Sequence, residues 1–171
     1  MLMIPTPIGD LDAVFDEKGV LTRLMFVPPA LPVEGNLNDA QASSSKMLAY
    51  EISAYFAGRL RDFSVPIAPK GTPFQLRVWK CLSDIPYGVT TTYGRIASEL
   101  GDVKLSRAVG RANGANPIFL LIPCHRVIGV NGQLTGYAGG LEKKAALLKL
   151  EAFFKSACAM PPDERQVFKC T

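Results

Sequence analysis

Histidine occurs once in this chain of 171 residues, tryptophan occurs once, and the four cysteines form no CxxC pair. Ligands so few and so spaced argue against a four-ligand zinc site, and no metal or other cofactor is expected. Long apolar runs are missing as well. No stretch approaches the roughly 20 residues that a membrane helix requires, so no membrane partner is expected. The opening MLMIPTPIGDLD has neither a basic start nor an apolar block behind it. A signal peptide is therefore not expected, and the reading is of an intracellular protein, cytoplasmic or, in a eukaryote, nuclear. Internal repeats are also lacking.

Acidic residues are scarce in one part of the chain. Residues 71–155 carry 11 Lys/Arg against 5 Asp/Glu, a balance of +6, whereas residues 1–70 carry 6 against 8 and residues 156–171 carry 2 of each. The middle segment is thus the candidate for an anionic partner, with a plain solvated basic face as the alternative. A boundary is expected near Pro69-Lys70-Gly71, where charge and pattern change together.

What is present fits a mixed α/β (α+β) chain with enough apolar residues, 48%, to bury a core. LDAVF and LMFV flank Lys18-Gly19 as a hairpin, with Leu11, Ala13 and Phe15 on one face. KMLAYEISAYFAG predicts a helix stopped by Gly58, after a proline-rich connection (VPPALPVEG) and a run of serines. RDFSVPI predicts a short strand. Thr72-Pro73-Phe74-Gln75 is a capping box with proline at the first helical position, and Phe74, Val78, Leu82 and Ile85 form the buried stripe of the helix it opens.

Two short helices follow, TTYGRIASELG and SRAVGRANGANP, the second opened by Ser106 and closed by Gly114: a helix-turn-helix candidate. Ala108, Gly110, Ala112, Gly114 and Ala115 keep the second helix slim, while Arg107 and Arg111 lie on it at helical spacing. A small-residue surface carrying charge suits close approach to a narrow minor groove better than reading of a wide major one. FLLI predicts a buried strand, VIGVNGQLTG a hairpin around Asn131-Gly132, and LEKKAALLKLEAFF a final helix with Leu141, Ala145, Leu148 and Ala152 inward. A mobile tail is expected for residues 156–171.

Between the strand and the hairpin stands Pro123-Cys124-His125-Arg126. A thiol reacts as thiolate and needs a base or positive charge nearby, which His125 and Arg126 supply. Neighbours on an extended strand point to opposite faces, so His125 reaches Cys124 only if Pro123 sets a turn or a water bridges them. The base needs an orienting carboxylate, for which Glu142 and Glu151 are both candidates. The alternative is an inert cysteine at the end of a buried strand.

PCHRV, together with RAVGRANGANP before it and LTGYAGGLEKK after it, closely resembles the O6-alkylguanine-DNA alkyltransferase family, the methylated-DNA–protein-cysteine methyltransferases. The resemblance is continuous from about Gly71 to Glu151 and weaker before. It implies an N-terminal ribonuclease-H-like domain over residues 1–70 and a winged-helix-like DNA-binding domain over residues 71–155. It also implies DNA repair by direct reversal: a monomer enters the minor groove of alkylated duplex DNA, flips the base out, and moves its alkyl group irreversibly from O6 of guanine to Cys124, once per molecule. Whether O4-alkylthymine is also a substrate is left open by these residues.

By the same resemblance, Cys124, His125 and Glu151 are thiol, water-bridged base and carboxylate, and Tyr93 donates to guanine N3. The carbonyls of Cys124 and Val127 accept from the guanine amino group, Tyr137 and Ala138 close over the base, and Asn116 braces the recognition helix. Arg107 fills the gap left by the base, in a DNA-binding surface with Ser106, Ala108, Arg111, Ala112 and Gly114. A related lesion-binding group has tryptophan in place of the cysteine, and a thiol hydrolase generally has its histidine far away in sequence; Cys124 and His125 argue against both. Some relatives carry zinc in the N-terminal domain, but residues 1–70 hold neither Cys nor His.

Overall fold

The structure, a computed structural model, describes residues 2–28 and 36–157. The proline-rich connection, most of the expected tail, Cys158 and Cys170 lie outside the described residues. Two compact units emerge: Met1–Lys70 with Pro117–Leu121, and Gly71–Asn116 with the chain from Ile122 onward. The short piece Pro117–Leu121, expected with the C-terminal segment, thus belongs to the first unit.

In the first unit three antiparallel strands, β1 (Leu2–Ile4), β2 (Leu11–Phe15) and β3 (Leu21–Phe26), are ordered β1-β2-β3. The β2–β3 turn is tied by the Asp16 carboxylate, which accepts from the Lys18 and Val20 amides at 2.9 Å each. Gly19 lies at φ +77°, and a Cβ there would stand 2.7 Å from the Ala40 carbonyl oxygen, so this turn admits glycine for two separate reasons. Helix α1 (Asp39–Phe56) buries Leu48, Ile52 and Tyr55. It begins well before the expected Lys46, because Asn38 and Gln41 form a capping box that carries the helix through the serines. Glu51 on α1 is buried, accepting from the Ser64 and Val65 amides at 3.0 and 3.4 Å and from the Ser64 hydroxyl.

Neither expected extra strand forms a ladder. RDFSVPI contributes a single parallel bridge, Leu21 to Ile67, and the segment before Cys124 another, Leu24 to Ile118. FLLI turns instead of extending: Leu120 sits at φ +68°, the one non-glycine residue with positive φ among those described.

The second unit is built on helices. Helix α2 (Pro73–Ser83) starts at the expected Thr72 capping box and buries Val78, Trp79, Cys81 and Leu82, leaving Phe74 half-buried. The two-residue strand β4 (Thr91–Thr92) leads into α3 (Tyr93–Glu99), capped by Thr92. After a 3-10 turn at Val103–Leu105 comes α4 (Ser106–Gly114). Ser106 is its first helical residue, not its cap, and its hydroxyl donates to the Val103 carbonyl at 2.6 Å. Helices α3 and α4 pack together, and α4 also packs on α2, where the Trp79 indole N–H donates to the Ala112 carbonyl at 2.8 Å.

Strand β5 (Val127–Ile128) pairs in parallel with β4, so the expected 127–136 hairpin is only a turn, closed by the Gly129 amide on the Gln133 carbonyl at 2.8 Å. Helix α5 (Leu141–Ala157) follows and takes in the first residues of the expected tail. Its inner face differs from the apolar stripe expected. Leu141, Ala145 and Ala152 are exposed, and the residues turned inward are Lys144, Leu147 and Glu151, spaced i, i+3, i+7.

Candidate functional site

Cys124, His125 and Arg126 form one 3-10 turn behind Pro123, all three buried. The turn removes the strand geometry that would have sent neighbouring side chains to opposite faces. Three consecutive residues therefore serve one buried cluster. Asn116, just past α4, donates from Nδ2 to the Ile122 carbonyl at 2.8 Å and also hydrogen-bonds the Cys124 thiol. Burial pushes that thiol up to about 11, against the Asn116 hydrogen bond, the charge of Lys144 and the backbone amides of Cys124 and His125, which lower it. At neutral pH the sulphur is therefore held mainly as the neutral thiol.

A proton acceptor stands beside it. His125 Nε2 lies 2.8 Å from Glu151 Oε1, and its Nδ1 has no hydrogen-bond partner among the described residues. Burial holds His125 below its ordinary value, opposed by Glu151 and aided by Arg126 and Lys144, so at neutral pH the imidazole is neutral and able to take a proton. Glu151 meets the reverse balance. Burial raises it, but hydrogen bonds and charge from His125 and Arg126 overcome this and hold it well below the usual carboxylate range. Of the two candidate carboxylates, Glu151 is in the cluster; Glu142 is exposed in the first turn of α5.

Arg126 was foreseen as a positive charge for the thiol, but it is turned to Glu151. Its Nε and Nη2 donate to the carboxylate at 3.0 and 2.9 Å, and Nη1 donates to the Ile85 carbonyl at 2.6 Å. The Gly88 amide adds a bond to Glu151 Oε2 at 2.9 Å. Gly88 lies at φ +68°, where a Cβ would stand 3.3 Å from the Glu151 carbonyl oxygen, so glycine lets this turn deliver its amide to the carboxylate.

The remaining site residues divide into two sets. Tyr137 is buried and within electrostatic reach of Cys124, its phenol driven upward first by burial and then by the sulphur; Ala138 beside it is exposed. Tyr93, half-buried at the start of α3, donates its hydroxyl to the Thr135 carbonyl at 3.2 Å. Val127 is buried, and its carbonyl accepts from Lys144 Nζ at 2.6 Å. On α4, Arg107, Arg111 and Gly114 are exposed, and Ser106 and Ala108 half-buried. Ala112 instead is buried, its carbonyl taken by Trp79, and turns toward α2.

Sequence reasoning missed Lys144, which is fully buried and also reaches the Thr135 carbonyl at 2.7 Å. It also missed Tyr87, whose ring lies 5.7 Å from the Arg126 guanidinium carbon. The spacing of Lys144 and Glu151, seven residues and two helical turns apart, was the available signal.

Residues 73–153 match a family model described as the DNA-binding domain of 6-O-methylguanine DNA methyltransferase. The chain is 48% identical over 149 residues to the methylated-DNA–protein-cysteine methyltransferase of Methanosarcina acetivorans, a match spanning 85% of this chain and 94% of that one. With the same-named protein of Mycobacterium bovis it shares 56% over 148 residues, 86% of this chain and 89% of the other.

The chain belongs to the methylated-DNA–protein-cysteine methyltransferases. The fold agrees. A crystal structure of Mycobacterium tuberculosis O6-methylguanine methyltransferase matches with a TM-score of 0.75 at 39% identity, covering 98% of this chain and 97% of that one. The same organism's OGT in complex with DNA matches at 0.78 and 43%, covering 89% and 92%. As a methyltransferase of this family the chain is an enzyme of mixed helix and sheet. Among its described residues no helix is long and apolar enough to cross a membrane.

Proposed function

We propose that the protein repairs duplex DNA by moving the alkyl group of O6-alkylguanine onto Cys124, once per molecule, with the damaged base flipped out through the minor groove. The observation that carries this reading is the turn Cys124–Arg126, which holds a buried thiol beside a neutral imidazole fixed to Glu151 at 2.8 Å. One water between His125 Nδ1 and the thiol would carry the proton to the imidazole, and Glu151 stabilises the imidazolium that results. The thiolate attacks the alkyl carbon, the carbon–O6 bond breaks, and its electrons pass into the guanine ring. Tyr93 would donate its phenol proton to N3 as that charge develops, so that guanine leaves neutral. Such help acts on the transition state and raises rate.

Flipping is required because O6 of a stacked guanine cannot be reached in line by a protein thiol. Arg107, exposed on α4, is assigned to the gap left by the base, with Arg111 and Ser106 on phosphates and Ala108 and Gly114 leaving room for close approach. Ala112 serves that surface from beneath, by packing α4 on α2. The carbonyls of Cys124 and Val127 would accept from the guanine amino group, Tyr137 and Ala138 would close over the base, and Asn116 would orient the sulphur while bracing the end of α4. Residues 1–70 are assigned as the ribonuclease-H-like domain and residues 71–155 as the winged-helix-like one, in a monomeric, intracellular protein. The thioether formed has no facile leaving group, which makes the protein single-use.

Titration with duplex DNA carrying labelled O6-methylguanine, followed by peptide mapping, tests this. One methyl per protein on Cys124 is expected, and none in Cys124→Ala, which should keep DNA binding. Turnover beyond one equivalent, or transfer that survives Cys124→Ala, overturns the reading.

A further inference from the structure

The Tyr93 hydroxyl, assigned to N3 of the flipped base, already has a partner in the free protein. It donates to the Thr135 carbonyl at 3.2 Å, and the Thr135 hydroxyl donates back to the phenol oxygen at 3.4 Å. One residue thus meets both sides of the phenol, its main chain taking the proton and its side chain supporting the oxygen. Thr135 is exposed and Tyr93 half-buried, so the contact lies where an incoming base can reach it. Both bonds are long beside the usual spacing of about 2.7–2.8 Å for O–H···O. A grip of this kind orients a ring and still gives way to a better acceptor.

Two further contacts fit that use. The Thr135 carbonyl also accepts from Lys144 Nζ at 2.7 Å, so it keeps a donor when the phenol turns away, and the exchange orphans no polar group. On another side the ring runs close along α4 at Gly110, where a Cβ would stand 3.8 Å from Tyr93 Cδ1 and 3.9 Å from Cε1. Tyr93 is therefore set against the helix assigned to DNA, with its hydroxyl on the loop that carries Thr135.

We propose that Thr135 is the positioning residue of the tyrosine that protonates the base: its carbonyl holds the phenol proton until guanine N3 takes that place, and its hydroxyl supports the phenol oxygen while the proton is given up. The proposal rests on the reading of Cys124 as alkyl acceptor and of Tyr93 as donor to N3. In the step itself the Tyr93 O–H bond breaks and an N3–H bond forms, as the electrons of the carbon–O6 bond enter the ring. The electron pair of the O–H bond stays on the phenol oxygen. Negative charge grows there, and a hydroxyl already aimed at that oxygen stabilises the charged form more than the neutral one. Thr135 keeps its own proton throughout. It acts on the substrate only through Tyr93, so its effect disappears when the Tyr93 hydroxyl does.

Single-turnover transfer from duplex O6-methylguanine tests this with Thr135→Val, which keeps the branched shape and the main-chain carbonyl and removes the hydroxyl. Transfer about five- to tenfold slower is expected, the scale of one neutral hydrogen bond, with Thr135→Ser close to the parent. In a Tyr93→Phe background, and on duplex carrying O6-methyl-3-deazaguanine, which has no N3 to protonate, Thr135→Val is expected to slow transfer no further. Thr135→Val as fast as the parent, Thr135→Ser as slow as Thr135→Val, or the same slowing in the Tyr93→Phe background overturns the proposal. The free protein gives a second readout without DNA. The 13Cζ NMR signal of Tyr93, assigned by its loss in Tyr93→Phe, is expected to move in Thr135→Val and to hold its place in Thr135→Ser; an unmoved signal in Thr135→Val overturns the proposal as well. A parent protein that moves no methyl to Cys124 would instead sink the proposed function, an outcome distinct from a Thr135 without effect.

Discussion

Among the described residues each unit buries one glutamate, and the two are held in opposite ways. Glu51, in the first, accepts from neutral donors only: two backbone amides and the Ser64 hydroxyl. Glu151, in the second, accepts from an arginine, a histidine and one backbone amide. Neutral donors fasten a carboxylate to a loop and give a brace. A charged guanidinium and a titratable imidazole tie its ionisation to that of its neighbours, and a group so coupled can pass a proton demand along. Burial of an acid is thus not itself a mark of chemistry; the identity of its donors is.

The sharpest way to break this contrast is Glu151→Gln. An amide cannot match the Arg126 guanidinium, and leaving that charge buried and unpaired costs about 3–5 kcal/mol. Losing the orientation and charge stabilisation of His125 should slow transfer by on the order of 10²–10³-fold. Denaturant unfolding and single-turnover transfer measure the two, and a variant as fast as the parent would detach Glu151 from the chemistry. Glu51→Gln should do the reverse. Its amide N–H₂ would confront the Ser64 N–H, a loss of about 1–3 kcal/mol, with transfer by the folded protein unchanged.

A pH series sharpens the comparison further. His125 and Glu151 are both held below their ordinary values of 6.5 and 4.5, so the unfolded chain binds protons first. Their contribution to stability is complete above about pH 6.5 and falls as pH drops through 6.5 and then 4.5. Glu151→Gln should flatten the lower arm of that curve, which Tm against pH would show. The smallest effects belong to features the two units share: Asn38→Ala and Thr72→Ala each remove a helix cap and should each cost about 1 kcal/mol, with no change in transfer.

Much of this was legible in the sequence where local chemistry decides. The Thr72 capping box, the Thr92 cap and the stops at Gly58 and Gly101 lie where their residue types demand. The same chemistry at Asn38-x-x-Gln41 went unread because serines followed it. The strands read into FLLI and RDFSVPI failed for another reason: apolar alternation reports burial, but a ladder needs a partner, and RDFSVPI made a single bridge at Ile67 while the other lies at Ile118, just before FLLI. The inner face of α5 was misread because apolar periodicity was the guide, while the helix turns Lys144 and Glu151 inward to meet Val127 and Arg126. An amphipathic pattern inverts where a helix serves a polar cluster. The residues around the thiol were named largely through the family resemblance, whereas Lys144 and the turning of Arg126 onto Glu151 needed the three-dimensional arrangement.

The chain has a single tryptophan, Trp79, buried on α2 with its indole N–H on the Ala112 carbonyl of α4. All indole fluorescence therefore originates at the contact between α2 and α4, the helix proposed to meet DNA. Lengthening that one hydrogen bond, or admitting water beside it, alters the emission of the whole protein without any added label. A change at the α2–α4 contact can thus be followed optically, in real time, from a chromophore that the fold has already installed.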